Sequence, residues 1–137
     1  DEIGNVGFHV PENDIRTYIG SMRCIVEDAT DRGVSGQETL NENFADALGV
    51  KSAYTAWSKN AGLTGMAPTK AMLAQRQFFT QFAQLWCADP DEKWARGERH
   101  SPPATRVDMA AAALQPFYSA AFECGDGASP TVTSRCN

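Results

Sequence analysis

Residues 68–87 read PTKAMLAQRQFFTQFAQLWC, and the fold class follows from this stretch. Met72, Gln75, Phe79, Phe82, Ala83 and Trp86 recur at spacings of three and four, which puts them on one face of an α-helix. Phe78 and Leu85 widen that face, so the helix is expected to be deeply buried. Asp89 and Pro90 close it. On the upstream side, Asn60 to Pro68 is a loop broken by Gly62, Gly65 and Pro68. Before that loop a helix is expected from Thr39 or Asn41 to about Trp57 or Lys59, burying Phe44, Leu48, Tyr54 and Trp57. Gly49 weakens it by roughly 1 kcal/mol relative to alanine.

Further upstream, Ile15, Tyr18, Ile19, Met22, Ile25 and Val26 keep the helical period from Pro11 to about Asp28. A glycine-punctuated loop then runs from Ala29 to Glu38, and residues 1–10 form an entry loop. Downstream, the charged and proline-rich stretch from Lys93 to Pro103 is a loop. Two short helices follow, Ala104 to Leu114 and Pro116 to Glu123, with Pro116 placed in a first turn because a helix interior would cost about 3 kcal/mol. The tail from Gly125 to Asn137 is irregular. No period-two run of β-branched residues occurs, so the class is all-α, with no repeats and no low-complexity tract.

The 137 residues are 42% hydrophobic and 21% charged, the size of one domain. A net charge of -5 and the lack of any basic run exclude a nucleic-acid partner and an anionic membrane surface. No apolar stretch is long enough to span a bilayer. The first residue is Asp1 and no leader pattern follows it, so a processed or excised chain is expected. Four cysteines, Cys24, Cys87, Cys124 and Cys136, contain no C-x-x-C pair and suit a disulfide framework in an oxidising, extracytoplasmic compartment. Buried free thiols are the alternative, and spacing does not choose among the three possible pairings.

Two places carry more information than packing requires. Glu42 and Asp46 lie four apart and share a helix face, where two acids repel unless something positive stands near them. Either Glu42 is a metal ligand with Asp46 orienting a ligating imidazole, or Thr39 and Glu42 form a capping box at a helix start. His100 and Arg106 lie six apart on the proline-rich loop and the helix after it. They suit an anionic or oxyanionic group, with arginine as a forked donor and histidine as a donor to developing charge; the alternative is a solvated loop. The aromatic stripe around Phe78, Phe79 and Phe82 reads as core.

Taken together, these segments resemble the neprilysin and endothelin-converting-enzyme family of zinc metallopeptidases. Glu42-Asn43-Phe44-Ala45-Asp46 resembles its Glu-Asn-Ile-Ala-Asp motif, with Ala53-Tyr54 at the usual distance. Phe78-Phe79, Phe82-Ala83-Gln84 and Trp86-Cys87 are similar to its Phe-Phe-x-x-Phe-Ala-Gln-x-Trp-Cys block. His100-Ser101-Pro102 with Arg106 is similar to its His-Ser-Pro loop and the arginine beyond it, and Ser119, Ala121-Phe122 and Cys124 to its Ser-x-Ala-Phe-x-Cys. The likeness runs over residues 11–136, in order.

The resemblance implies the carboxy-terminal helical part of a zincin-like catalytic domain, stapled by disulfides and extracellular, either secreted or in an ectodomain. It implies that Glu42 is the third protein ligand of a catalytic zinc ion and that Asp46 holds the ring N–H of a zinc-bound histidine. His100 would stabilise the oxyanion and Arg106 would bind the peptide substrate. It also implies a Cys24–Cys136 disulfide, whereas the equivalents of Cys87 and Cys124 pair with cysteines upstream. Either those two bond to each other here, or they bond to a missing segment or partner chain; the second is expected, because the phenylalanine-rich helix is too apolar to face water in so small a domain.

The chain departs from the family pattern in lacking His-Glu-x-x-His, which supplies two zinc ligands and the general base; His9 has no partner four residues away. Phe44 replaces the usual isoleucine, Cys136 follows Pro130 by six residues rather than four, and no tryptophan follows the last cysteine. The expectation is therefore a zinc endopeptidase whose His-Glu-x-x-His helix comes from an upstream segment or second chain, with these 137 residues inactive alone. The alternative is a pseudo-peptidase or structural subunit, or a free-standing binding module with Cys87 bonded to Cys124.

Overall fold

The computed structural model describes residues 12–88 and 99–124, with the backbone alone for residues 12–19 and 21. Five α-helices follow in order: α1 Glu12–Asp31, α2 Leu40–Asn60, α3 Pro68–Leu85, α4 Pro103–Ala113 and α5 Phe117–Phe122, with a 3-10 turn at Leu63–Gly65. No strand occurs among the described residues. Within them the all-α expectation holds. The proposed entry loop, the start of the Lys93–Pro103 loop and the tail with Cys136 lie outside the described residues.

Helix α1 runs three residues past Asp28, the expected end, and the backbone explains why. Gly33 adopts φ 78° and its N–H donates to the Thr30 carbonyl at 2.9 Å, while the Val34 N–H donates to the Ala29 carbonyl at 3.0 Å. That is a Schellman ending, in which glycine takes the left-handed position and the last carbonyls are satisfied. Val34 then packs on the small core of Ile25, Ala29 and Met109. Arg32, just past the helix end, closes the corner by bonding Asp28 of α1 and Asp108 of α4, the latter at 2.8 Å.

The main core joins α2, α3, α4 and α5 through Val50, Tyr54, Phe79, Ala110, Ala113, Leu114 and Ala121. Alanines on α4 let that helix lie close to its neighbours, and aromatic rings fill what remains. Tyr54 meets Phe78 edge-on at 5.2 Å and Phe117 at 5.0 Å, and Phe79 meets Tyr118 edge-on at 5.1 Å. Burial pushes the Tyr54 phenol up, although the bond from Gln75 opposes it, and burial likewise raises Tyr118. Arg76 on α3 clamps the end of α5, donating to the Ala121 carbonyl and to Glu123 at 2.7 Å. Phe78, Phe79 and Phe82 belong to the core, as expected, but the face is incompletely covered: Leu85 is 80% exposed and Leu48, expected inside, is 49% exposed.

Candidate functional site

Helix α2 presents Glu42 and Asp46 one turn apart, and the segment from Arg99 into α4 crosses beside them. His100 Nε2 lies 3.4 Å from Glu42 Oε2, with both side chains nearly half exposed. Arg106, in the first turns of α4, grips Asp46 with two parallel bonds, Nε to Oδ2 at 2.5 Å and Nη2 to Oδ1 at 2.7 Å. This fork-to-fork pair is 12% and 20% exposed, the setting in which charge-assisted bonds are strongest. Asp46 thus has a cationic partner in Arg106, which offsets the repulsion expected of two carboxylates on one helix face.

The flat face of the Arg106 guanidinium lies over the Trp86 ring, 3.8 Å from its centroid. Trp86, the last aromatic of the stripe, is therefore part of this site rather than of the core. Its indole Nε1 is buried without a hydrogen-bond partner among the described residues. The stripe was read by helical period alone, and period does not reveal that the helix has ended: Trp86 is the C-cap of α3, with φ -107°.

The capping-box alternative for Glu42 fails. Thr39 stands at the N-cap of α2 yet makes no side-chain cap bond. Its hydroxyl instead donates to the Ser35 carbonyl at 3.0 Å and accepts from Asn43 Nδ2 at 2.9 Å. Asn43 Oδ1 in turn accepts from the Ser101 hydroxyl at 2.8 Å. Thr39, Asn43 and Ser101 are 1%, 1% and 0% exposed. Sequence reasoning missed this buried chain. A signal existed, because Asn43 lies on the apolar stripe of Ala47, Val50 and Tyr54, where an unpartnered amide would be costly.

Glu42, Asp46, His100 and Arg106 are therefore brought together by two elements distant in sequence. No group of three histidine, cysteine or acidic side chains able to hold a metal exists among the described residues. Cys24 is buried and disulfide-bonded; its expected partner Cys136 lies outside the described residues. Cys87 and Cys124 are free thiols, Cys87 exposed and Cys124 half-buried. The bond between them that a free-standing module requires is absent.

The family model described as Peptidase family M13 matches residues 1–137. Similar curated proteins include endothelin-converting enzyme 1 of Cavia porcellus, 28% identical over 99% of this chain and 20% of its own length. Neprilysin-1 of Caenorhabditis elegans is 30% identical over 99% of the chain and 20% of its own length, and the endothelin-converting enzyme homolog of Locusta migratoria is 30% identical with the same coverage. The chain spans about a fifth of the length of these relatives. No solved structure matches it.

Proposed function

The chain belongs to peptidase family M13, with neprilysins and endothelin-converting enzymes among its relatives, and on that premise we propose that it forms the carboxy-terminal part of the catalytic domain of a zinc endopeptidase. The observation that carries this reading is the convergence of Glu42, Asp46, His100 and Arg106 on one surface, in two neighbouring acid–base pairs.

The fit to zinc rests on the donor set. Glu42 is a half-exposed carboxylate at the edge of the site, suited to be one ligand of an ion whose other two protein ligands come from the His-Glu-x-x-His helix of an upstream segment or partner chain. Held by Glu42 together with two such histidines, zinc would supply Lewis acidity and a water of lowered pKa. The residues of this chain do the rest. His100, beside Glu42, donates to the oxygen that becomes negative as the scissile carbonyl turns tetrahedral. Arg106 is held by Asp46 and Trp86 with its fork fixed before the peptide arrives, so little ordering remains to be done on binding. Asp46 accepts from Arg106 and has lone pairs left for the ring N–H of a zinc-bound histidine.

Uncovered apolar surface supports a larger folding unit. A groove of about 600 Å³ between α2 and α3, lined by Val50, Ala53, Phe78, Phe82 and Leu85, is open, and the remaining catalytic segment is proposed to cover it. Cys87 and Cys124 are proposed to bond to that segment and Cys24 to Cys136, in an extracellular setting. No helix among the described residues is long and apolar enough to cross a membrane.

Metal analysis of the native protein carrying this chain tests the proposal. The expected result is zinc near one equivalent, peptide hydrolysis, and loss of both on Glu42→Gln. A metal-free native protein without peptidase activity would overturn it in favour of a pseudo-peptidase.

A further inference from the structure

His100 and Glu42 face each other from half-exposed side chains, and a 3.4 Å contact between such groups is too loose to fix a loop by itself. Yet the neighbour of each is among the most buried polar groups of the molecule. Ser101, next to His100, is 0% exposed, and Asn43, next to Glu42, is 1% exposed. Ser101 Oγ donates to Asn43 Oδ1 at 2.8 Å, Asn43 Nδ2 donates to Thr39 Oγ1 at 2.9 Å, and Thr39 Oγ1 donates to the Ser35 carbonyl at 3.0 Å. Each hydroxyl in this row donates to an acceptor, and the row ends on backbone, so its direction is fixed. A hydrogen bond sealed from water in this way is stronger and more directional than one at the surface.

The loop before α4 is thus attached to α2 one residue away from each member of the half-exposed pair. We infer that Asn43 and Ser101 are positioning residues: their buried hydrogen bond sets where His100 stands relative to Glu42, and so where its ring meets the oxyanion. This inference rests on the oxyanion role proposed for His100. It assigns neither Asn43 nor Ser101 a contact with substrate or metal.

The test is a mutant cycle in the native protein that carries the chain, using Ser101→Ala, His100→Ala and the double variant. Ser101→Ala is expected to lower kcat at least tenfold with KM within twofold and zinc content unchanged. In the His100→Ala background it is expected to have no further effect on kcat. Independent losses that multiply would overturn the inference, because a merely structural serine would still be missed when the histidine is gone. Asn43→Leu with Ser101→Ala removes the bond while leaving neither partner orphaned, which guards against misfolding; retention of full kcat in that variant would also overturn it.

Amide hydrogen exchange over residues 99–101 gives a second readout that does not need activity. Exchange there is expected to quicken at least tenfold in Ser101→Ala while α3 stays as protected as before. If His100→Ala leaves kcat unchanged, the oxyanion role itself has failed, and exchange alone judges the tether: quickened exchange supports it and unchanged exchange overturns it.

Discussion

Arg106 meets Asp46 edge-on through two nitrogens and Trp86 through its flat face. Lysine reproduces the charge of such a residue but neither the fork nor the plane. Arg106→Lys is therefore expected to lower kcat/KM about tenfold or more, on the order of 1.4 kcal/mol of transition-state stabilisation, as steady-state peptide kinetics on the native protein will show. His100→Ala is expected to act differently, lowering kcat by roughly 10² to 10³ with little change in KM, as loss of an oxyanion donor does. At this scale the sequence was legible where a side chain announces its chemistry. Glu42, Asp46, His100 and Arg106 stood out by type and by resemblance to a motif, whereas Asn43, Ser101 and Trp86 did not. A buried asparagine or a serine beside a proline has many roles, and which one applies depends on a partner dozens of residues away.

Among the elements, the α1–α2 loop and α2 itself each hold a glycine, and the two respond oppositely to the same substitution. A β-carbon at Gly36 would collide with the backbone carbonyl of Val26, in α1, and with the Thr30 hydroxyl. Gly36→Ala is expected to destabilise by about 1–3 kcal/mol, the usual cost of forcing atoms into a packed site. Gly49, inside α2, has nothing within 4 Å of such a carbon, so Gly49→Ala is expected to stabilise by about 0.5–1 kcal/mol through helix propensity. Thermal-unfolding midpoints of the two variants check both signs.

The raised phenols of α2 and α5 add a pH dependence. A tyrosine whose folded pKa lies above its unfolded value gives stability that is intact below about pH 10 and lost as pH climbs through the folded value. Tyr54→Phe is expected to flatten that alkaline loss, measured as the fall in unfolding midpoint above the ordinary phenol range. Helical period and the proline positions together placed the five helices of the described residues, and the ends shifted by a few residues where hydrogen bonds continued past the pattern. The Schellman ending at Gly33 is the clearest case: Ala29 and Thr30 belong to α1 because a glycine beyond them closes the last turn.

For the whole molecule, the central observation is exposed apolar surface on a chain that offers the proposed zinc site a single ligand, Glu42. Leu85 at 80% exposure, Leu73 at 55% and the open groove between α2 and α3 are costly for a chain of this size standing alone. The isolated 137-residue chain is therefore expected to bind zinc weakly and to unfold with little cooperativity, in contrast to the native protein that carries it. Zinc titration and circular-dichroism melting check this; tight zinc binding and a sharp melt by the chain alone would contradict it.

The sequence by itself determined the all-helical class, the order of the helices and, through its motifs, the family, because periodicity and residue chemistry are local properties of a chain. Only the tertiary structure decided that Arg106 belongs to Asp46 and His100 to Glu42, that Trp86 leaves the core to lie under the arginine, and that Ser101 reaches Asn43. Ser101 lies 58 positions from Asn43 and Arg106 lies 60 from Asp46, and no local pattern encodes such pairings. They arise because packing α4 against α2 buries polar groups from both segments, and a buried polar group must find its partner on whatever element is brought against it.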